Sequence, residues 1–166
     1  MTLVPTPTAA GPALADAPVF SRDRLIRFSD CDPAGIVFYP QYFVMFNGLV
    51  EDWFNEGLVF GGVPVGYERT VVQRRIGLPT VHLEVDFTAP SAMGDRVRLS
   101  LGVERLGGRS LTLQLRCVGL NADGTEGSGR VALRQVIVTT SLDTRRAVHM
   151  PTDIREAIAQ SAGIVQ

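Results

Sequence analysis

Two carboxylates, Asp30 and Asp32, flank Cys31 in the run Asp-Cys-Asp-Pro-Ala-Gly-Ile-Val-Phe-Tyr-Pro at residues 30–40. A helix is expected to begin shortly after them, with Pro40 in its first turn, where a missing N–H removes no bond. A helix N-terminus presents unpaired N–H groups and a partial positive charge of about half a unit. Such a terminus can hold a carbonyl oxygen as it becomes an oxyanion. A carboxylate beside it can attack the carbonyl or activate water. These parts suffice for acyl transfer without a metal, a serine or a histidine. The same residues also suit a plain turn, because Asp forms Asx-turns readily, and spacing alone leaves both readings open. A metal site fits poorly, since no His or carboxylate cluster accompanies the Asp-x-Asp.

The elements that must position this loop follow from the hydrophobic pattern. A first strand is expected over 19–28, holding Leu25 and Ile26, and a loop over 29–35. From Gln41 to Glu56 the apolar positions Tyr42, Phe43, Phe46, Leu49, Val50, Trp53 and Phe54 recur at helical spacing, with Gly57 as the stop. Val44 and Met45 widen the apolar surface, so the helix is expected to be buried on more than one side, with Trp53 in the core. Residues 58–79 read as a loop through Gly61, Gly62 and Gly66, then a short strand near 68–76. Alternation predicts a half-buried strand over 81–87, then strands over 97–103, 111–117 and 131–142. Turn residues separate them at Pro90, Gly94-Asp95, Gly107-Gly108 and 121–124. A short helix follows Pro151, with Thr152 as candidate cap. Strand, long helix, antiparallel meander and small helix make an α+β domain in which a sheet wraps one central helix.

Composition narrows the function classes. The chain has 166 residues, enough for one domain, with 45% hydrophobic and 20% charged residues. Residues 1–17, rich in Ala, Pro and Thr, are expected to form a poorly ordered tail, and 18–166 the single domain. The net charge of −1 argues against nucleic-acid binding. All 16 basic residues are Arg, so no lysine can form a Schiff base. Cys31 and Cys117 are too few and too far apart for a disulfide framework or a zinc site. No apolar run is long enough for a membrane span, and residues 1–18 lack the pattern of a secretory signal. The expected setting is cytoplasmic.

Residues 28–42, Phe-Ser-Asp-Cys-Asp-Pro-Ala-Gly-Ile-Val-Phe-Tyr-Pro-Gln-Tyr, closely resemble the signature of the 4-hydroxybenzoyl-CoA thioesterase family, in its Pseudomonas-type branch. The expected strand order agrees along residues 19–155. The resemblance implies the hotdog fold and hydrolysis of an acyl-CoA thioester to free acid and CoA, with no cofactor. It matches Asp32 to the catalytic carboxylate, nucleophile or general base, and the main-chain N–H of Tyr39 to the donor that polarises the thioester carbonyl. Gly35 would allow close backbone approach. Asp30 is expected to be structural, and Cys31 not to be a nucleophile. Asn47 stands where the hydroxybenzoyl-specific enzyme carries an Asp facing the substrate hydroxyl, and an amide is not the same charged acceptor. Phe43 and Met45 differ from that enzyme too, so a strictly 4-hydroxybenzoyl substrate is not expected.

CoA carries phosphates, so a basic rim is expected. Arg105 and Arg109, which flank Gly107-Gly108, are the candidates, with Arg74, Arg75 and Arg130 behind them. His82 is expected at a surface or interface, and His149 in a structural role. The resemblance further implies a homodimer or homotetramer with each site built from two chains. Two other readings stand beside the acyl-CoA thioesterase. One is hydrolysis of an acyl carrier protein thioester, where the arginines would face an acidic protein. The other is a non-catalytic acyl-CoA binding hotdog protein, against which Asp32 and the Tyr39-Pro40 helix start both argue.

Overall fold

Pro40 opens the long helix, and α1 (Pro40–Asp52) runs straight into a π-helical turn, Trp53–Gly57. The Leu58 N–H reaches back five residues to the Trp53 carbonyl at 2.8 Å, which widens the last turn. The computed structural model that shows this describes residues 18–164, and the expected tail at 1–17 lies outside them. Space is what requires glycine at the end of this run. A Cβ on Gly57 would lie 2.5 Å from Trp53 Cδ1 and 2.9 Å from Phe20 Cδ2.

The strands are β1 (Phe20–Leu25), β2 (Val59–Phe60), β3 (Val63–Pro64), β4 (Ile76–Gly77), β5 (Thr80–Phe87), β6 (Arg96–Leu106), β7 (Ser110–Leu120), β8 (Glu126–Val138) and β9 (Thr140–Ser141); α2 (Thr152–Ser161) follows them. Five form one sheet in the order β1-β6-β7-β8-β5, antiparallel throughout. Its register aligns Phe20, Leu101, Leu115, Leu133 and Val85 in one row across all five strands. Phe46 and Leu49 of α1 and Trp53 of the π-helical turn share a buried cluster with Leu101, Leu113 and Leu115. The helix crosses the sheet from edge to edge. Its first turn meets Phe87 of β5, while Arg22 of β1 pairs with Asp52 and Glu56 near its end. The α+β architecture with a central helix is therefore as expected, and Trp53 is fully buried.

Several local expectations are corrected. No strand fills 68–76: the segment Arg69–Gln73 is a π-helical turn, and only Ile76–Gly77 is extended. Gly66 turns the chain at φ +78°, and its carbonyl accepts both the Thr70 N–H and hydroxyl, so Val71 and Val72 are wound into a turn despite their β propensity. The stretch 58–66 is a small β2–β3 hairpin rather than a loop. The first strand stops at Leu25 and a 3-10 turn, Phe28–Asp30, follows. The last long strand starts earlier and stops sooner than 131–142, because the polar Glu-Gly-Ser-Gly-Arg run pairs with β7 while Thr139 turns to Arg109 and Val148. Thr152 is not a cap; Pro151 precedes the helix and no side chain caps it. β5 is not half-buried: Val81 is 60%, Leu83 44% and Phe87 51% exposed, since β5 is an edge strand that the start of α1 meets at its Phe87 end.

Gly57→Ala is expected to destabilise the protein by about 1–3 kcal/mol, the usual cost of overpacking a filled site. Urea unfolding followed by Trp53 fluorescence measures this directly, and an unchanged midpoint would show that the contact relaxes freely.

Candidate active site

The loop after β1 is a miniature hairpin closed at Asp30. The buried Asp30 carboxylate accepts the Arg27 N–H at 2.8 Å and the Arg24 guanidinium at 3.1 and 3.2 Å. Its own carbonyl accepts the Phe38 N–H at 3.0 Å, tying the end of the loop to its start. Between them Cys31 bridges Val37, and the Asp32 N–H donates to Ile36 O at 3.0 Å. The turn is Asp32-Pro33-Ala34-Gly35, closed by the Gly35 N–H on Asp32 O at 2.9 Å. Gly35 takes φ +75°, which an L side chain rarely adopts. Within this chain a Cβ there meets no atom within 4 Å, so handedness, and not close approach, is the requirement the structure displays.

Asp32 sits at the head of that turn, partly exposed. One of its oxygens accepts the Ala34 N–H at 2.8 Å in an Asx-turn, which fixes the carboxylate relative to the loop. Four residues past the turn comes Tyr39, whose φ −49° and ψ −36° are already helical. Among the described residues its N–H donates to no backbone or side-chain acceptor. The next donors are used: Pro40 has none, and the Gln41 N–H goes to Phe38 O at 2.8 Å. Tyr39 thus offers the free donor at the N-terminus of α1. The Cys31 thiol is pushed up, first by partial burial and then by the Asp30 and Asp32 carboxylates, which leaves it a poor nucleophile.

A second loop holds the first in place. The Val37 N–H donates to Ser91 O at 2.9 Å, Ile36 bridges Ala92, and the Met93 N–H donates to Gly35 O at 3.0 Å. Beside this contact lies an open groove of about 300 Å³. Ile36, Val37, Tyr39, Tyr42, Phe87 and Pro90 line it, and no charged residue does. Tyr39 and Tyr42 both stack against Phe87, at 6.2 and 6.1 Å between ring centroids.

The structure therefore places Asp32 and Gly35 in one hydrogen-bonded hairpin, whose closing bond from the Phe38 N–H to Asp30 O lies one residue before Tyr39. It does not bring the other candidates there within one chain. Asn47 lies exposed two turns along α1 from Tyr39, about 12 Å by helical rise. Arg105 and Arg109 sit at the far end of β6, about 30 Å by strand rise from the second loop. Both are exposed, and among the described residues neither has an ion-pair partner; Arg109 contacts His149 at 3.3 Å. The other arginines are engaged: Arg74 forks onto Asp153 at 2.7 and 2.9 Å, Arg75 pairs with Asp143, and Arg130 with Asp95. His82 is exposed on β5, 3.0 Å from Glu84. Ser91, Phe87 and Pro90 were not legible as site residues: only the fold carries β5 and the 88–95 turn to the helix start.

Comparison with known proteins gives the family. Residues 26–158 match the thioesterase-like superfamily. This chain belongs to that superfamily. It is 31% identical over 155 residues to a 1,4-dihydroxy-2-naphthoyl-CoA hydrolase of Synechococcus sp. (strain CC9605), covering 92% of this chain and 99% of that one. A Prochlorococcus marinus (strain MIT 9303) hydrolase of the same name is 30% identical over 97 residues, 57% of this chain and 64% of that one. Among solved structures, the 4-hydroxybenzoyl-CoA thioesterase from Pseudomonas sp. strain CBS-3 superposes with TM-score 0.70 at 26% identity, over 82% of this chain and 96% of that one. A 1,4-dihydroxy-2-naphthoyl-CoA thioesterase from Synechocystis gives TM-score 0.71 at 20% identity, over 84% and 95%, and shows the shared fold. The hotdog fold and the enzyme class expected from residues 28–42, a thioester hydrolase, both stand.

Asp30→Ala removes the acceptor of two loop donors and is expected to cost about 1.5–3 kcal/mol, the range for hydrogen bonds to a charged group. Thermal unfolding of the variant beside Arg24→Ala checks this, and the Arg24 change should cost less because the Arg27 bond survives it.

Proposed function

We propose that this protein hydrolyses an acyl-CoA thioester to the free acid and CoA, and that it belongs to the Pseudomonas-type branch of its family. The observation that carries the reading is the unpartnered Tyr39 N–H at the start of α1, one residue past the hydrogen bond that closes the Asp32 hairpin. A thioester carbonyl at that donor would develop its negative charge where a main-chain dipole already points. Loss of one such donor typically costs about 2.7–4 kcal/mol in the barrier. Asp32 would attack the carbonyl carbon, expelling the CoA thiolate and leaving a mixed anhydride for water, or would take a proton from the attacking water. Both routes need a carboxylate held beside the donor, and the Asx-turn supports that.

The acyl group is an uncharged, aromatic-sized one. The groove's lining of Tyr39, Tyr42 and Phe87 with no charge supports this, as do relatives named for a dihydroxynaphthoyl thioester. Asn47 would then serve as a neutral hydrogen-bonding residue where the hydroxybenzoyl enzyme carries an acid.

A second copy of the chain would complete the site. β5 presents a free sheet edge with exposed Val81, Leu83 and Phe87, a surface that ordinarily acquires a partner strand. Thr80, at one end of β5, lies in the row of Ile137, Leu111 and Leu106, which is the end carrying Arg105 and Arg109. Phe87, at the other end, lies at the groove. Antiparallel pairing of β5 with its own copy would bring the partner's arginine-bearing end alongside the groove. Three or four strand spacings, about 15–19 Å, would separate them, a span that an extended CoA nucleotide can bridge. Arg105 and Arg109 would then meet its phosphates, and Gly35 would carry the turn that substrate passes.

Thiol release from a panel of thioesters tests the chemistry: benzoyl, 4-hydroxybenzoyl, dihydroxynaphthoyl, phenylacetyl and aliphatic CoA esters, with one acyl carrier protein thioester. Asp32→Asn is expected to lower kcat at least about a hundredfold with an unchanged melting temperature. Wild type no faster than this variant on every ester would overturn the reading, and exclusive turnover of the carrier protein ester would reassign the carrier. Arg109→Ala is expected to raise KM for CoA esters while leaving the matching N-acetylcysteamine ester, which has no nucleotide, unaffected.

A further inference from the structure

Tyr42 is the third residue of α1, and its ring is 3% exposed. Its hydroxyl donates to Ser91 Oγ at 2.9 Å, a bond between two buried side chains. Ser91 is wholly buried, and its carbonyl accepts the Val37 N–H at 2.9 Å. One residue thus grips the active loop through its main chain and the first turn of α1 through its side chain. Ala92 and Met93 extend the grip to Ile36 and Gly35. The Tyr42 N–H in turn donates to the carbonyl of Tyr39 at 3.2 Å, the residue whose own N–H is free. Asp32 and the free donor are therefore referenced to one strip of three residues, 91–93.

On the hydrolase reading above, we propose that Tyr42 and Ser91 are positioning residues: their hydroxyl–hydroxyl bond sets the distance between the Asp32 turn and the Tyr39 N–H, and so acts on the chemical step rather than on substrate binding. Neither hydroxyl reaches a reacting atom in this role. Burial pushes the Tyr42 phenol up, so the hydroxyl stays protonated and can donate to Ser91 Oγ at every pH at which the protein would work. The position of Tyr42 serves this use. It lies one turn past Tyr39 on the same face, so the side chain that lines the groove also anchors the terminus that the groove exposes.

The test compares Tyr42→Phe, Ser91→Ala and the double variant with wild type on the preferred ester. A control variant, Ser161→Ala, removes a hydrogen bond of the same helical run at its other end, where Trp53 Nε1 donates to Ser161 Oγ at 3.1 Å. Each clamp variant is expected to lower kcat about tenfold with KM within about twofold. The double variant should be no slower than the worse single one, because both remove the same bond. Ser161→Ala should lower the melting temperature and leave kcat alone. Amide exchange at Val37, read by NMR without substrate, should quicken in Tyr42→Phe and not in Ser161→Ala. Clamp variants with lowered melting temperature but wild-type kcat would overturn the positioning role alone, as would independent, multiplying effects in the double variant. A wild type inert towards every thioester would overturn the hydrolase reading instead.

Discussion

One buried helix lies across five antiparallel strands, and the rest of the molecule answers to that packing. The row Phe20, Leu101, Leu115, Leu133 and Val85 offers an apolar strip, and the helix runs along it from Phe87 of β5 to Arg22 of β1. At the β1 end the contacts are tight: Gly57 admits no side chain beside Trp53 and Phe20, and Arg22 holds the two acids near the helix end. With that end fixed, the N-terminus has one place to go. It emerges at the open edge, beside Phe87, with the Tyr39 N–H unpartnered among the described residues. A helix whose middle is buried and whose start is not is a natural site for developing negative charge.

The two acids of the loop divide the work by their surroundings. Asp30 is buried and spends its carboxylate on Arg24 and the Arg27 N–H, so it behaves as a fixed part of the backbone. Asp32, two residues on, keeps one oxygen in the Asx-turn and lies partly exposed. Strand alternation would put residues 30 and 32 on one face; they differ because Asp30 ends the 3-10 turn Phe28–Asp30 while Asp32 opens the turn closed by the Gly35 N–H, so local geometry rather than residue type separates them.

Much of this was legible in the residues. The helix from Pro40, the four later strands and the Trp53 core follow from spacing, because a buried face repeats its period in the chain. The string at 28–42 carried the fold family. What escaped has a common cause: it depends on partners distant in sequence. Thr70 winds 69–73 into a turn by bonding Gly66, which overrides the β-branched Val71 and Val72. The run 126–130 looks like loop until β7 supplies its ladder. β5 has the alternation of a half-buried strand, and its apolar side is real, but α1 does not extend far enough to cover it. Ser91 bears no mark at all, since a serine after a proline in a turn is ordinary until the fold sets it beneath Tyr42.

Polar groups in the core of this chain are mostly satisfied, as burial demands. Thr70, Thr139, Gln135 and Asp30 all have partners. The groups that the proposed site would use fall at two ends of the sheet. The Tyr39 N–H and the second oxygen of Asp32 lie at the Phe87 end of β5, and Arg105 and Arg109 lie at the Thr80 end. Arg74, Arg75 and Arg130, equally basic by sequence, already hold carboxylates within the chain. On the proposed reading, a single copy would carry the hydrolytic half and the phosphate-attracting half of an acyl-CoA site too far apart to serve one substrate. An antiparallel two-fold through the exposed β5 edge would exchange those ends and make two complete sites from two incomplete ones.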